Sequence, residues 1–165
     1  RYRVNNIKSL ANKIFLPFSI TNEDLFIKEF EKILIKTPIN NLPILNIENH
    51  PAMLNSKKHI NFKSRLKKTI ERYKDRFSIN LSNNNISIFF GVTAAIVEAL
   101  EKKIEVIHIC SDPLFQSFNE KIWSNLQIKK LNDFTYFYSL ISEGKYINFG
   151  ERGDTLNNTL KNIIL

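Results

Sequence analysis

A glycine–threonine turn ahead of an apolar helix is the strongest chemical signal in the sequence. The segment Gly91-Val92-Thr93-Ala94 follows a run of apolar and β-branched residues, and Glu98 lies further along. Glycine permits a tight turn and a close approach of a ligand to the backbone, and the N-terminus of the following helix attracts anions through its free N–H groups. Thr93 adds a hydroxyl, and the Glu98 carboxylate could accept hydrogen bonds from the hydroxyls of a sugar. It is equally possible that Thr93 only caps the helix and that Glu98 is only a solvated helix residue.

A histidine fixed by a proline is the second candidate. His50-Pro51 ends another apolar run, and proline restricts the backbone after the imidazole. An imidazole in such a loop can donate a hydrogen bond to a phosphate oxygen, although a structural or exposed histidine is the commoner outcome. Ser19 and Asp112 follow two further apolar runs and could line a ligand cleft. An aspartate in a turn before a proline is equally ordinary, however. The glycine patterns of dinucleotide-binding folds and of P-loops do not occur in the sequence.

The remaining histidines and the cysteine are expected to be structural. His59 falls in a basic stretch and is predicted to be a surface residue, whereas His108 lies inside an apolar run and is predicted to be a hydrogen-bonded core residue. Cys110 is interpreted as a packed thiol at a strand end rather than a nucleophile. No group of cysteines and histidines has zinc spacing, so a structural metal site is not expected. No cofactor is expected either.

Alternating strands and helices must position these residues, and the apolar pattern predicts them. The predicted strands are Lys13–Phe18, Ile44–Glu48, Phe77–Leu81, Ile86–Phe90, Ile104–Ile109 and Gln127–Leu131. The predicted helices run from Thr21 or Asn22 to the residue before Pro38, and over Lys57–Arg76, Ala94–Lys102, Pro113–Trp123, Asp133–Ile141 and Thr155–Leu165. Such alternation predicts an α/β fold, a Rossmann-like parallel sheet with helices on both faces.

This fold class indicates where a ligand would bind. Ligands of open parallel sheets bind at the carboxyl ends of the strands. The loops that follow the predicted strands there are Pro17–Ser19, Asn49–Pro51, Gly91–Ala94 and Cys110–Asp112. We expect His50 and the Gly91–Ala94 turn to follow neighbouring strands, so that the imidazole and the helix tip share one phosphate group.

Composition narrows the class of protein. The chain has 165 residues, of which 43% are hydrophobic and 24% are charged, as in an ordinary folded domain. No apolar run is long enough to span a membrane, and a single cysteine is expected of a protein in a reducing compartment. We therefore predict a cytoplasmic protein. Because the sequence begins at Arg1 without a signal-type segment, we expect a piece of a longer chain.

The net charge of +8 is concentrated in the basic segment Lys57–Arg76, which holds nine Lys and Arg residues against two acidic ones. Apolar residues recur there every three or four positions, which predicts an amphipathic helix with one buried face. A solvated cationic face, peripheral contact with the anionic inner face of a membrane, and binding of a polyanionic glycan all remain open. Nucleic acid is disfavoured because no known recognition pattern accompanies the charge.

Two motifs together resemble a known enzyme family. A strand ending in His50-Pro51, then a helix and a strand, then a strand that runs into Gly91-x-Thr93-Ala94-x-x-x-Glu98-Ala99-Leu100, resembles the C-terminal, nucleotide-sugar-binding half of GT-B type glycosyltransferases. The pattern is most similar to bacterial enzymes of capsule and surface-polysaccharide synthesis, including the polysialyltransferase-like and teichoic-acid-polymerase-like groups. The resemblance covers about Lys13 to Leu131. The chain departs from it at Thr93-Ala94, where two hydroxyls are common, and at Asn49, near which a basic residue is common.

The resemblance implies a role for each residue. His50 would be the catalytic residue and, with Thr93, would engage the phosphate of a CMP- or UDP-sugar, while Glu98 would hold the donor ribose. The complete donor site would comprise residues of four loops and one helix: Ser19, His50, Pro51, Gly91, Val92, Thr93, Ala94, Glu98 and Asp112. No metal ion is implied, because most enzymes of this type need none.

The resemblance also implies a division of the chain and a missing partner domain. Residues 1–12 would be a connector, 13–150 the nucleotide-sugar-binding domain, and 151–165 a helix that packs back or toward a missing N-terminal domain. That domain would bind the glycan acceptor, so the chain alone is expected to bind the donor weakly without turnover. A homodimer through the terminal helix is a further expectation. Two other functions remain open: a sugar-nucleotide 2-epimerase-like domain and a non-enzymatic polyanion-binding module.

Overall fold

The computed structural model of the chain describes residues 10–36, 46–76, 85–93, 95–111 and 125–141. The strands in these ranges are β1 Lys13–Phe15, β2 Asn46–Glu48, β3 Ile86–Phe90, β4 Glu105–Ile109, β5 Leu126–Asn132 and β6 Thr135–Leu140. The α-helices are α1 Glu23–Lys36, α2 Lys57–Arg72 and α3 Ala95–Glu101, and short 3₁₀ turns at Pro51–Met53 and Lys74–Arg76 flank α2. Strands β1 to β5 and all three helices confirm predicted elements, with bounds that differ by a few residues.

The six strands form one mixed sheet with the order β2-β1-β3-β4-β6-β5. The pairs β1–β2, β1–β3 and β3–β4 are parallel, whereas β6 runs antiparallel to both β4 and β5. The predicted α/β class is therefore confirmed, but the expectation of a wholly parallel sheet is wrong. The parallel half of the sheet carries all the loops in which site residues were predicted.

The segment Asp133–Ile141, predicted as a helix, forms β6 and the turn before it. A turn at Asp133 and Phe134 joins β5 to β6 as a hairpin. The β-branched and aromatic residues of the segment suit a strand, and Tyr136 and Tyr138 are buried on one face of the sheet. Hairpin pairing on one side and pairing with β4 on the other outweigh the apolar spacing that suggested a helix.

Alternate side chains of the central strands point into two separate cores. Ile88 and Phe90 of β3 pack beneath α1 and α2, where they meet Phe26 and Phe62. Phe89, between them, points to the opposite face and packs with α3. This period-two alternation is that of a strand buried on both sides. The prediction of helices on both faces is thereby confirmed.

Helix α1 is fixed by its cap and by ion pairs with α2. The backbone N–H of Leu25 donates to Asn22 Oδ1 over 3.0 Å, so Asn22, one of the two residues predicted for this role, caps the helix. Arg65 of α2 lies 3.1 Å from Glu23 and 2.6 Å from Asp24, both in the first turn of α1. These contacts hold the start of α1, and with it the end of the loop after β1.

Several predictions fall outside the described residues. They are the strand Phe77–Leu81, the helices Pro113–Trp123 and Thr155–Leu165, and most of the connector 1–12.

Candidate functional site

The loops that follow the four parallel strands lie at one edge of the sheet. Because β2, β1, β3 and β4 are parallel, their carboxyl ends share that edge in that order. From β1 the chain passes to β2 on one side, and it later returns to β3 on the other side of β1. Such a reversal of strand order is a topological switch point, and open α/β sheets bind ligands in the crevice there. We call residues 16–22 and 91–93, which flank it, the switch-point loops.

The two switch-point loops touch each other at Pro17 and Gly91. Gly91 has a φ of +65°, in the left-handed region that favours glycine. A Cβ placed on Gly91 would lie 3.0 Å from the Cβ of Pro17, so the bare backbone permits this contact. The N–H of Gly91 also donates to the carbonyl of Ile109 in β4 over 2.8 Å. Gly91 follows β3 and therefore contacts the chain at the carboxyl ends of both neighbouring strands, β1 and β4.

Replacement of Gly91 by alanine is expected to lower the free energy of unfolding by about 1–3 kcal/mol, because the residue would be strained at positive φ and its methyl group would meet Pro17. The matched control is Lys103→Gly. Lys103 has a φ of 58°, so glycine there relieves strain and should leave the free energy of unfolding unchanged or raise it. Urea unfolding measures both variants. Equal losses in the two would contradict this account of Gly91.

Buried imidazoles bind the backbone of both switch-point loops. His108 of β4 places Nε2 2.7 Å from the carbonyl oxygen of Gly91, and His59 of α2 places Nε2 2.8 Å from that of Pro17. Burial lowers the pKa of His108 to about 4, so this imidazole is neutral at pH 7. Because the proton of the neutral His108 ring is on Nε2, where it is donated to the carbonyl of Gly91, Nδ1 accepts a hydrogen bond from the hydroxyl of Tyr138, 3.2 Å away. The prediction of a hydrogen-bonded core histidine is confirmed.

The prediction that His59 is a surface residue is wrong. Its side chain is buried, and its Nδ1 lies 3.0 Å from the hydroxyl of Ser56, the N-cap of α2. A signal for this was present in the sequence. His59 lies three residues before Phe62 and seven before Leu66, which places all three on the buried face of the helix. The apolar periodicity of the segment is clear, but a histidine among lysines does not count as apolar and so is not assigned to the buried face.

His50 lies at the carboxyl end of β2, half-buried and against Phe18 of the first switch-point loop. The two rings meet edge-on with 5.3 Å between their centroids. His50 Nδ1 accepts a hydrogen bond from the N–H of Ala52 over 3.3 Å, so the proton of the neutral ring is on Nε2. Pro51 begins the 3₁₀ turn that follows, a position that suits its missing N–H. His50 Nε2–H is therefore the group that could donate to a ligand.

His50 and Thr93 share the edge of the sheet but do not follow neighbouring strands. Strand β1 lies between β2 and β3, and at about 4.8 Å per strand their ends are roughly 10 Å apart. The expectation of neighbouring strands is wrong because the chain passes from β2 across β1 to reach β3. A ligand that contacts both residues must extend across the loop that carries Pro17 and Phe18.

The segment around Thr93 leads into α3. Thr93 Oγ1 accepts a hydrogen bond from the N–H of Ala95 over 3.2 Å, which is a capping contact that still leaves the hydroxyl able to donate. Glu98 forms an exposed ion pair of 2.7 Å with Lys102, as a solvated helix residue does. Val92 is 48% exposed in the turn itself.

The loops after β1 and β4 also meet at this edge. Thr21 Oγ1 and Ser111 Oγ lie 3.3 Å apart, and Ser19 is exposed in the same loop as Thr21. Ser111 lies in the predicted loop Cys110–Asp112, but neither it nor Thr21 is singled out by the sequence, because single hydroxyls are common in loops and carry no spacing signal. Ala94 and Asp112, two of the predicted site residues, lie outside the described residues.

The free cationic surface of α2 is smaller than the basic segment suggests. Arg65 and Arg72 pair with acidic residues of α1, Arg72 with Glu31 over 2.8 Å. These ion pairs hold α2 against α1, so the two arginines are not free to bind a polyanion. The exposed lysines of the helix are Lys57, Lys58, Lys67 and Lys68.

Within the ranges that the structure describes, no three His, Cys, Asp or Glu side chains gather as a metal site would require. No helix in those ranges is both long enough and apolar enough to cross a membrane. Comparison of the chain with protein-family models, with curated proteins and with solved structures gives no match. The inference of function therefore rests on the residues of this chain and on the edge of the sheet where they lie.

Proposed function

We propose that the chain is the donor-binding half of a glycosyltransferase and binds a nucleotide-activated sugar, a CMP- or UDP-sugar, at the carboxyl edge of its sheet. The observation that supports this best is the shared edge. The loops that contain His50, Pro17 and Gly91 follow the adjacent parallel strands β2, β1 and β3. The crevice at such a switch point is where open α/β sheets bind nucleotides. The described parts of the two motifs that resemble GT-B glycosyltransferases, His50-Pro51 and Gly91–Thr93, lie in loops of this edge.

Two side-chain donors on this edge suit the phosphate groups and hydroxyls of such a ligand. The Nε2–H of His50 and the hydroxyl of Thr93 can each donate a hydrogen bond, since each side chain already accepts one from the backbone. Because roughly 10 Å separates the ends of β2 and β3, the two donors would bind different parts of one extended ligand. This spacing favours a nucleotide or its sugar conjugate over a single phosphate ion.

Fixed donors of this kind lower the barrier to sugar transfer. Cleavage of the bond between sugar and phosphate leaves negative charge on the departing nucleotide, and donors aimed at the phosphate oxygens stabilise that charge. His50 would be a catalytic residue in this sense. An N-terminal domain of a longer protein would bind the acceptor glycan and supply the base that takes the proton of its hydroxyl. The chain alone would therefore bind the donor without turning it over.

Calorimetric titration with CMP, UDP, GDP and their sugar conjugates tests this proposal. At least one nucleotide should bind, and His50→Ala and Thr93→Ala should each weaken it by about tenfold or more, the usual effect of losing a hydrogen bond to a charged group. The control is the triple variant Lys63→Glu, Lys67→Glu, Lys68→Glu, which should keep its affinity for the nucleotide. Binding that is unchanged in both single variants would contradict the assigned roles.

A polyanion-binding module is the second candidate, and the four exposed lysines of α2 are the observation that favours it. If the chain binds polyanions, the lysine substitutions should weaken binding more than His50→Ala does. The triple lysine variant should lose binding to an anionic polysaccharide such as polysialic acid, while His50→Ala should bind it like the wild type. That outcome, together with no binding of any nucleotide, would overturn the proposal of a donor-binding half.

A further inference from the structure

The first switch-point loop has one peptide group whose direction is set by a buried imidazole. The carbonyl of Pro17 faces His59 Nε2 at 2.8 Å. In a trans peptide the carbonyl of one residue and the N–H of the next point in opposite directions, and the described chain contains no cis peptide. The N–H of Phe18 therefore points away from His59. Phe18 itself is 56% exposed, at the carboxyl edge of the sheet.

The second switch-point loop repeats this arrangement. The carbonyl of Gly91 faces His108 Nε2 at 2.7 Å, in the interior of the protein. By the same geometry, the N–H of Val92 points away from His108. The imidazole is held in turn by the hydroxyl of Tyr138. The direction of the peptide between Gly91 and Val92 is thus fixed from within the core.

Among the described residues, neither the N–H of Phe18 nor that of Val92 has a hydrogen-bond acceptor. The two groups belong to loops that touch at Pro17 and Gly91. A hydrogen bond to the carbonyl of a peptide polarises that peptide and strengthens its N–H as a donor. Free backbone N–H groups at a concave edge are a recurrent way to bind phosphate oxygens.

We propose that the N–H groups of Phe18 and Val92 donate hydrogen bonds to phosphate oxygens of the ligand, and that His59 and His108 are positioning residues that aim them. This inference rests on the proposed function and names the groups that would hold its phosphate between His50 and Thr93. The two imidazoles belong to different elements, α2 and β4, so each switch-point loop has its own positioning residue.

Nuclear magnetic resonance of the ¹⁵N-labelled wild-type chain tests the donors directly. Titration with CMP, UDP and inorganic phosphate should move the amide protons of Phe18 and Val92 downfield, whereas cytidine and uridine, which lack phosphate, should not. A nucleotide that binds without moving these two amides would overturn this inference and leave the proposed function standing. If neither a nucleotide nor phosphate binds, the proposed function fails and this inference with it.

Paired substitutions test the positioning residues. His59→Leu and His108→Leu remove the donor to the loop carbonyl, whereas His59→Gln and His108→Gln can replace it with an amide N–H. We expect each leucine variant to bind UDP or CMP about tenfold more weakly. His59→Leu should also lose the downfield shift of the Phe18 amide, and His108→Leu that of the Val92 amide. The glutamine variants should restore both the affinity and the shift. Folded leucine variants that bind like the wild type would overturn the role. If the leucine variants do not fold, the wild-type amide titration decides.

Discussion

Phe90→Ala is expected to lower the free energy of unfolding by about 3–5 kcal/mol, the usual loss when a large aromatic side chain is removed from a packed core. Phe90 is fully buried at the end of β3. Its ring lies 5.5 Å from that of Phe26, 6.1 Å from that of Phe30 and 5.3 Å from that of Phe62, measured between centroids. It therefore joins β3 to both helices on that face. Equilibrium urea unfolding followed by circular dichroism measures the loss.

The same substitution at an exposed phenylalanine is the matched control. Phe18 is 56% exposed, and Phe18→Ala should change the free energy of unfolding by roughly 0.5 kcal/mol or less. A loss in the first variant that is no larger than in the second would contradict the packing around Phe90. Because natural domains are stable by only about 5–15 kcal/mol, Phe90→Ala could be largely unfolded. Phe90→Leu, which keeps most of the apolar volume, should then show an intermediate loss.

Acidification is expected to destabilise the protein through His108. Burial lowers its pKa from the ordinary value of 6.5 to about 4, so between these values the unfolded chain takes up a proton that the folded protein does not. The free energy of unfolding should therefore be unaffected by this residue above about pH 7 and should fall as the pH drops from 6.5 to 4. At about 1.4 kcal/mol for each pH unit, this shift gives a total loss of roughly 3 to 4 kcal/mol.

The variant His108→Gln separates this effect from other titrating groups. Glutamine does not titrate, yet its amide can still donate to the carbonyl of Gly91. Unfolding in urea at a series of pH values from 7.5 to 4 should show a weaker dependence on pH in the variant than in the wild type. Identical curves for the two proteins would show that His108 is not held neutral by burial, and that the pH dependence comes from elsewhere.

The candidate site could be predicted from the sequence only in part. A strand, a turn and a helix are local structures, so the chain positions of Gly91, His50 and their loops followed from apolar patterns and from glycine and proline. The distance between those loops could not be predicted in this way. It depends on the strand order, and the insertion of β1 between β2 and β3 moved His50 one strand further from Thr93.

The two buried histidines illustrate both sides of this division. His108 sits in a strand of apolar residues, and its burial was predictable from those neighbours. His59 sits among lysines, and only its place on the inner face of α2 shows that it is buried. That both imidazoles bind loop carbonyls could not be predicted at all, because Pro17 is 42 residues from His59 along the chain.

The α/β class, the positions of the turns and the buried faces of most elements follow from the sequence, because they depend on residues close together in the chain. That Asp133–Ile141 is a strand, that the sheet is mixed, and which loops touch at the switch point become evident only in the folded protein. Strand pairing gains its free energy from partners distant in sequence, so the same local pattern suits a helix or a strand until a neighbouring strand is present.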